Sequence, residues 1–359
     1  MSERKFQLIK ISGSDYERGV QYGRLAQKKI KDGLSLYRER LKSVVHLDWR
    51  EVKEQTKEFL PIINAYAPEL LEEARGISEG AGVEFEEILI LNCRTELQVK
   101  KTKSHGDACT AAVVLKEATA DGKVILGQNW DYYPSAMDTT VLLSIVRPDG
   151  LKIMGLAEAG QLLRNGLNSC GIGVCGNFIS STDDYGGVGV PITFVRRKIL
   201  SCDRFSDALG AVFSARRTIS SNYLIACKDG MAIDLEATPR DTYRVFPEDG
   251  TYAHANHIQS PGPVNAERGF LADSFYRDKR LMSLLKEKAG HITIQDVMKC
   301  FTDHWGYPDS ICRHYDERDG ALTGIETNAS IVMDLEKGRM YVSCGPPCGA
   351  MYTEYSFDD

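Results

Sequence analysis

The chain has 359 residues, a formal net charge of −6 and a hydrophobic fraction of 43%, enough for one large domain or two average ones with a substantial core. Its Lys and Arg residues are scattered rather than clustered, which argues against nucleic acid or an anionic membrane as a partner. The charged start of the chain has no apolar core after it, and no apolar run reaches the roughly 18 residues of a membrane span, so a cytoplasmic protein without a membrane anchor is expected.

Residues 14–43 carry a helical recurrence of Tyr16, Val20, Tyr22, Leu25, Ile30 and Leu34, with N-cap chemistry in Ser14-Asp15-Tyr16-Glu17. A second helix is expected over 51–66 and a third over 68–80, with Pro68 in its first turn. After residue 108 the pattern turns to strands. Cys109 opens the apolar run Thr110-Ala111-Ala112-Val113-Val114-Leu115, Asp121-Gly122 is a turn signal, and 123–127 reads as the returning strand. Further strands are expected at 140–146 and 151–157, with tight turns at Asn165-Gly166 and Cys170-Gly171. Two helices follow at 191–201 and 204–215, then strand pairs at 222–227 with 231–236 and at 243–246 with 252–256. Helices at 270–288 and 294–302 and a last hairpin at 329–335 with 339–344 complete an α+β pattern of sheets covered by helices.

Ten cysteines lie at irregular spacings, mostly in apolar contexts such as Cys170, Cys175 and Cys227, and read as reduced core thiols rather than a disulfide framework. Cys109 differs by its neighbours. A small residue, Ala108, precedes it, and an antiparallel return of the chain brings Gly127-Gln128-Asn129-Trp130-Asp131-Tyr132 toward it. Cutting the Ala108–Cys109 bond would give one residue both a thiol and an α-amine, a nucleophile with its own base. The α-amine, with a reference pKa near 8, can take the thiol proton directly or through a water. Gly76-Ile77-Ser78-Glu79-Gly80 matches the pattern of a serine nucleophile elbow, but a helical segment precedes it instead of a strand, so it reads as a helix end with Gly80 as the cap. His254 and His257 lie on an apparent strand with no Cys or carboxylate at ligand spacing, so no metal is expected there.

The cysteine with Gly127 to Asp131 resembles the family of acyl-coenzyme A:6-aminopenicillanic acid acyltransferases, which are self-cleaving N-terminal-nucleophile (Ntn) hydrolases. The resemblance extends to Leu91-Asn92-Cys93-Arg94-Thr95-Glu96 upstream, and to His254-Ala255-Asn256-His257, Ser310-Ile311-Cys312-Arg313 and Gly345-Pro346-Pro347-Cys348 downstream. It implies a four-layer αββα sandwich, with 1–108 a mostly helical pro-region or α-subunit and 109–359 the catalytic region or β-subunit. It implies cleavage between Ala108 and Cys109, although Ala108 stands where glycine is common. Catalysis would use Cys109 as nucleophile, Asp131 to pair with the Cys109 ammonium or orient a substrate amine, Asn256 as an oxyanion donor and Arg313 as a positioning cation. Arg94, Trp130, Tyr132 and His257 would contribute to substrate binding.

The activity implied is hydrolysis or acyl transfer on non-peptide amides or thioesters through a thioester acyl-enzyme. The alternatives are an acyl-coenzyme A-dependent N-acyltransferase and an uncleaved, small-molecule-binding relative. Bile-salt hydrolases and penicillin V acylases carry arginine where Gln128 stands, which places the chain nearer the acyltransferase branch. No metal or cofactor is expected, with a coenzyme A thioester as a candidate substrate. The expected partners are a small-molecule amide or acyl donor and the chain's own two fragments.

Overall fold

The computed structural model describes residues 4–43, 46–102, 108–185, 187–265, 272–320 and 323–358. The start of the helix expected over 270–288 lies outside them. The chain opens with a strand the sequence reading did not foresee, β1 (Gln7–Ser12), followed by α1 (Asp15–Leu25) and α2 (Gln27–Ser43). Ser14 caps α1 in a capping box with Glu17, as its spacing predicts. The expected second helix is three pieces, α3 (Trp49–Thr56), a 3₁₀ turn (Lys57–Phe59) and α4 (Leu60–Tyr66). Then come α5 (Pro68–Ala81), α6 (Phe85–Asn92) and α7 (Arg94–Thr102).

The strands after residue 107 are β2 (Ala108–Val114), β3 (Ile125–Tyr132), β4 (Thr140–Val146), β5 (Lys152–Glu158), β6 (Asn165–Asn168) and β7 (Ile172–Cys175). Helices α8 (Ile192–Leu200) and α9 (Phe205–Ser214) precede β8 (Ser221–Cys227), β9 (Met231–Ala237), β10 (Thr242–Val245) and β11 (Thr251–His254). The chain ends with α10 (Ser274–Lys286), α11 (Ile294–Cys300), β12 (Glu326–Asp334), β13 (Arg339–Cys344) and β14 (Tyr352–Ser356).

Two sheets result. One runs β1-β4-β5-β6-β7-β8-β9-β10, the other β11-β2-β3-β12-β13-β14. Alternation along β2 shows why they stack. Cys109, Ala111 and Val113 join the large core with Trp130, Val174 and Ile331, between the sheets. Ala112 and Val114 join a second core with Leu281, Leu285, Val297 and Phe301, under α10 and α11. Helices α8 and α9 pack on β6 to β8 of the first sheet. The order of layers is thus αββα. No helix among the described residues is long and apolar enough to cross a membrane.

Three local readings are corrected. Asn165 and Gly166 lie inside β6 rather than in a turn. A Cβ on Gly166 would stand 2.2 Å from the Met154 carbonyl oxygen on β5, so the glycine serves a close strand approach. β10 and β11 do not pair with each other: β10 pairs with β9, and β11 pairs with β2 in the other sheet. The cap of α5 is Gly82, at φ 61°, and Gly80 is interior. Gly76 and Gly80 of α5 meet Gly19 and Gly23 of α1 so closely that a Cβ on Gly76 would lie 2.2 Å from the Tyr16 carbonyl oxygen. The Gly-x-Ser-x-Gly pattern is therefore a helix-crossing surface.

The first 102 residues are built into the rest of the fold. β1 pairs in parallel with β4 (Gln7↔Val141 to Ser12↔Val146). Glu73 of α5 accepts from Arg18 of α1 at 2.9 Å and from Arg197 of α8 at 3.0 Å, all three side chains being almost fully buried. Replacing Glu73 by alanine leaves two buried guanidiniums short of their shared counter-charge. We expect Glu73→Ala to lower the unfolding free energy by about 3–5 kcal/mol in urea titrations, with Glu73→Gln less affected. A loss below about 1 kcal/mol would show that water or Asp15 compensates.

Candidate active site

Cys109 sits where one edge of its strand changes partner. β11 pairs with β2 from Thr251↔Val114 to His254↔Ala111 and then ends. Beyond that end, the Cys109 N–H donates to Asn256 Oδ1 at 3.0 Å instead of to a ladder carbonyl. Two further asparagines hold this chain end. Asn177 Nδ2 donates to the His254 and Ala255 carbonyls at 2.8 and 2.7 Å, and Gln128 of β3 donates to Asn177 Oδ1 at 2.8 Å. Asn165 Nδ2 in turn donates to Gln128 Oε1 at 2.8 Å. Asn256 Nδ2 donates to the Phe178 carbonyl at 2.9 Å.

The centre of the site is an arginine that the sequence reading missed. Arg277 of α10 is fully buried. Its Nη1 donates to the Cys109 carbonyl oxygen and to Thr110 Oγ1, both at 2.7 Å, and its Nη2 donates to Asn256 Oδ1 at 2.8 Å. Its Nε donates to Asp273 at 2.7 Å. Since Asn256 Oδ1 accepts from both Cys109 and Arg277, the amide must present its oxygen to Cys109. A signal was present in the sequence: Arg277, Leu281 and Leu285 share one helix face, and the two leucines are core. An arginine inside an apolar stripe needs a buried partner, here Asp273 four residues earlier.

Asp131 lies within β3, opposite Ala108, and not just past the strand's end as the sequence reading has it. Paired residues point to the same face, so its carboxyl is on the helix-covered side while the Cys109 side chain faces the other sheet. Asp131 Oδ1 accepts from Thr327 Oγ1 at 2.7 Å, and Oδ2 lies 3.7 Å from Arg313 Nε. Arg313 also holds Asp273 and Asp309. Asp273 thereby joins Arg277 to Arg313, and this pair of arginines spans from the Cys109 carbonyl to the Asp131 carboxylate.

The carboxylates differ in charge preference. Burial opposes ionisation of Asp273, but Arg277 and Arg313 outweigh it and hold its carboxyl below the usual range. Burial pushes the Asp131 carboxyl up to about 6, against Arg313, Arg277 and Thr327. Arg313, though destabilised by burial, is pushed up by Asp273, Asp131 and Asp309. Arg313 divides its charge among three carboxylates and gives Asp131 the longest contact, so it does not offset the burial of Asp131.

A carboxyl with a raised folded-state pKa binds its proton more tightly folded than unfolded. Its favourable contribution is therefore full below the ordinary 3.8 and lost as pH rises through about 6. That displacement corresponds to about 3 kcal/mol. In an uncleaved Cys109→Ala background, Asp131→Asn should gain on its parent by about this amount between pH 4 and 7, read from denaturant midpoints. A pH-independent difference would contradict the assignment.

The remaining sequence-predicted residues are placed as follows. Arg94 is buried in the helical region and bonds Glu158 and the Tyr132 hydroxyl, the latter at 3.0 Å. Trp130 is fully buried, stacked on Tyr132 with Arg164 over its ring at 4.2 Å. Trp130 and Tyr132 lie on the inter-sheet side, the side of the Cys109 thiol. His257 contacts Ser274 Oγ at 2.8 Å, and burial pushes its imidazole down to about 4. Cys175 also lies near the Cys109 thiol, and burial pushes it well above the ordinary thiol range, with Cys109 adding to the rise.

Among proteins of known sequence, the chain is 28% identical over 341 residues to the 40 kDa form of acyl-coenzyme A:6-aminopenicillanic-acid-acyltransferase of Emericella nidulans, covering 94% of this chain and 92% of that one. It is 24% identical over 343 residues to an uncharacterised protein of Archaeoglobus fulgidus, of which the match spans 56%. Solved structures with a partial likeness include a conjugated bile acid hydrolase of Clostridium perfringens (TM-score 0.44, 14% identity, 68% of this chain and 96% of that one). A penicillin V acylase of Agrobacterium tumefaciens gives a TM-score of 0.47 at 11% identity, over 66% of this chain and 83% of that one. The profile of one family matches residues 118–348, a stretch that begins after Cys109 and holds Asp131, Asn256, Arg277 and Arg313. By that match the chain belongs to the acyl-coenzyme A:6-aminopenicillanic acid acyl-transferase family.

Proposed function

We propose that the protein is a self-cleaving N-terminal-cysteine enzyme that hydrolyses or transfers acyl groups of non-peptide amides or thioesters. The observation that carries this reading is the clamp on Cys109: its N–H is held by Asn256 Oδ1 at 3.0 Å and its carbonyl by Arg277 at 2.7 Å. A strand residue with ordinary ladder partners needs neither. An acceptor already aimed at the Cys109 nitrogen would hold the same atom as a free α-amine once the chain is cut.

In maturation, the Cys109 thiol attacks the Ala108 carbonyl. The C–N bond breaks, the nitrogen leaves as the Cys109 amine, and an Ala108 thioester forms. Water then hydrolyses the thioester, releasing the Ala108 carboxylate and restoring the thiol. In turnover, the α-amine takes the thiol proton, the sulfur attacks the substrate carbonyl, and the leaving amine or thiol receives that proton. The amide of Asn256, whose Nδ2 would turn from or share the Phe178 carbonyl, and a backbone N–H are assigned to the oxyanion. Asp131, through the Arg313–Asp273–Arg277 chain, sets the charge around the Cys109 main chain.

Whether the acyl-enzyme passes to water or to an amine depends on which reaches the thioester. The family favours an acyl-coenzyme A donor with an amine acceptor, and ten cysteines at irregular spacings, read as reduced core thiols, favour a reducing compartment such as the cytoplasm. The test is incubation of purified protein with an acyl-coenzyme A, with and without an amine, followed by intact mass. We expect an acyl adduct on the fragment that begins at Cys109, discharged faster when amine is present. Acylation elsewhere, or none with any thioester or amide of a broad panel, would overturn the reading.

A further inference from the structure

Four potential metal ligands converge about one residue away from Arg313. His304, Cys312 and His314 come from the connection after α11, and Cys348 from the turn between β13 and β14. Their ligand atoms all lie within 4.8 Å of one another. His314 Nε2 is 3.1 Å from His304 Nε2, 3.7 Å from Cys312 Sγ and 3.4 Å from Cys348 Sγ. Zinc bonds of about 2.3 Å to sulfur and 2.0–2.1 Å to nitrogen, at tetrahedral angles, put neighbouring ligand atoms about 3.3–3.8 Å apart. The contacts of His314 fall near that range.

Hydrogen bonding alone accounts poorly for the cluster. An imidazole Nε2 has either one lone pair or one hydrogen, yet here it faces three ligand atoms at once. A cation at the centre satisfies all four. The surrounding chain is built to hold them: the Cys312 N–H donates to the Asp303 carbonyl and the His314 N–H to the Pro308 carbonyl, both at 3.0 Å. Gly349 and Ala350 close a turn on Pro346 around Cys348. The other convergence of acidic and imidazole groups, Asp234, Glu236 and His254, is served by protein donors. Asp234 accepts from Tyr252, and Glu236 accepts from the Gln259 and Ser260 amides.

We propose that His304, Cys312, His314 and Cys348 form a structural zinc site that fixes the arginine loop of the active site. A closed set of two thiolates and two imidazoles suits zinc without an open position for catalysis. The expectation of no metal rested on His254 and His257 and did not consider this set, in which the distant Cys348 joins three residues of the 304–314 segment. The site ties the 303–314 segment to the sheet-edge turn. Arg313, between two ligands, has its N–H on Thr327 Oγ1 at 2.9 Å, the same hydroxyl that donates to Asp131. Metal would therefore position the guanidinium that serves Asp131 and Asp273.

The test is zinc content of untagged protein, purified in reducing buffer with zinc supplied during expression. Cys348→Ser, at an exposed position, is prepared alongside, with circular dichroism to confirm its fold. About one zinc per chain in wild type, falling at least about tenfold in the variant, is expected. Cobalt reconstitution should give a thiolate-to-metal charge-transfer band in wild type alone. Zinc well below one per chain, or content unchanged in a folded Cys348→Ser, would overturn the site. So would a Cys312–Cys348 disulfide found by mass under those conditions, which would assign the two sulfurs to each other.

Discussion

Cys109→Ala is expected to leave the chain whole, at 39.9 kDa, while the wild type separates on denaturing gels into two fragments. In proportion to 108 of 359 residues, these are roughly 12 and 28 kDa, the larger beginning with cysteine. The effect is expected to be all-or-none because, in the proposed mechanism, one atom supplies both the cleaving nucleophile and, later, the catalytic one. Cys175→Ala is the matched control: it removes a buried thiol near Cys109 but should still be cleaved. Under native conditions the wild-type fragments should elute as one species. β1 stays paired to β4, Tyr22 accepts from the Gly160 N–H at 2.9 Å, and Thr193 donates to the Asn92 carbonyl at 2.9 Å, all across the cut. If mature wild type keeps its full mass, Cys109 has no α-amine, and the protein is a binding relative or an unmatured precursor. If the alanine variant is still cut at the same bond, the nucleophile lies elsewhere.

What the sequence made legible were features carried by short-range pattern. The strand expected over 140–146 matches β4 to the residue, and the Ser14–Glu17 spacing marks the start of α1. Cys109 and Asp131 come together because the chain returns antiparallel within about two dozen residues, and the pairing Ala108↔Asp131 follows from it. What stayed hidden depends on partners distant in sequence. β1 is a short run whose strand character comes from parallel pairing with β4. The strands at 242–245 and 251–254 look like a hairpin but are sent to different sheets, which no local signal records. The metal-ligand cluster joins residue 348 to residues 304–314 across β12 and β13. Arg277 is an intermediate case, visible in the helical phasing and passed over because a charged residue is by default read as solvated.

Arg277→Met should reduce both maturation and turnover by about 10²–10³-fold, the scale of losing a charged donor from a preorganised site. The guanidinium serves four acceptors from three segments of the chain: the Cys109 carbonyl and Thr110 Oγ1 on β2, Asn256 Oδ1 after β11, and Asp273 at the start of α10. Without it, the Cys109 carbonyl and the amide that holds the Cys109 nitrogen lose their shared anchor, and Asp273 is left with Arg313, which it shares with Asp309. Arg277→Lys keeps the charge but not the fork, so one ammonium cannot reach both Cys109 and Asp273, and it should recover only part of the rate. The comparison that isolates the site is Arg280→Met, three residues further along α10, where the arginine pairs with Asp303 and is partly exposed. That pair contributes within about 1 kcal/mol, so its loss should leave maturation near wild-type speed. Equal slowing in the two variants would mean that helix α10 as a whole, rather than the Arg277 clamp, governs Cys109. A slow Arg277→Met beside a normal Arg280→Met, with both folded by circular dichroism, would make Arg277 the residue that holds the nucleophile's main chain in place.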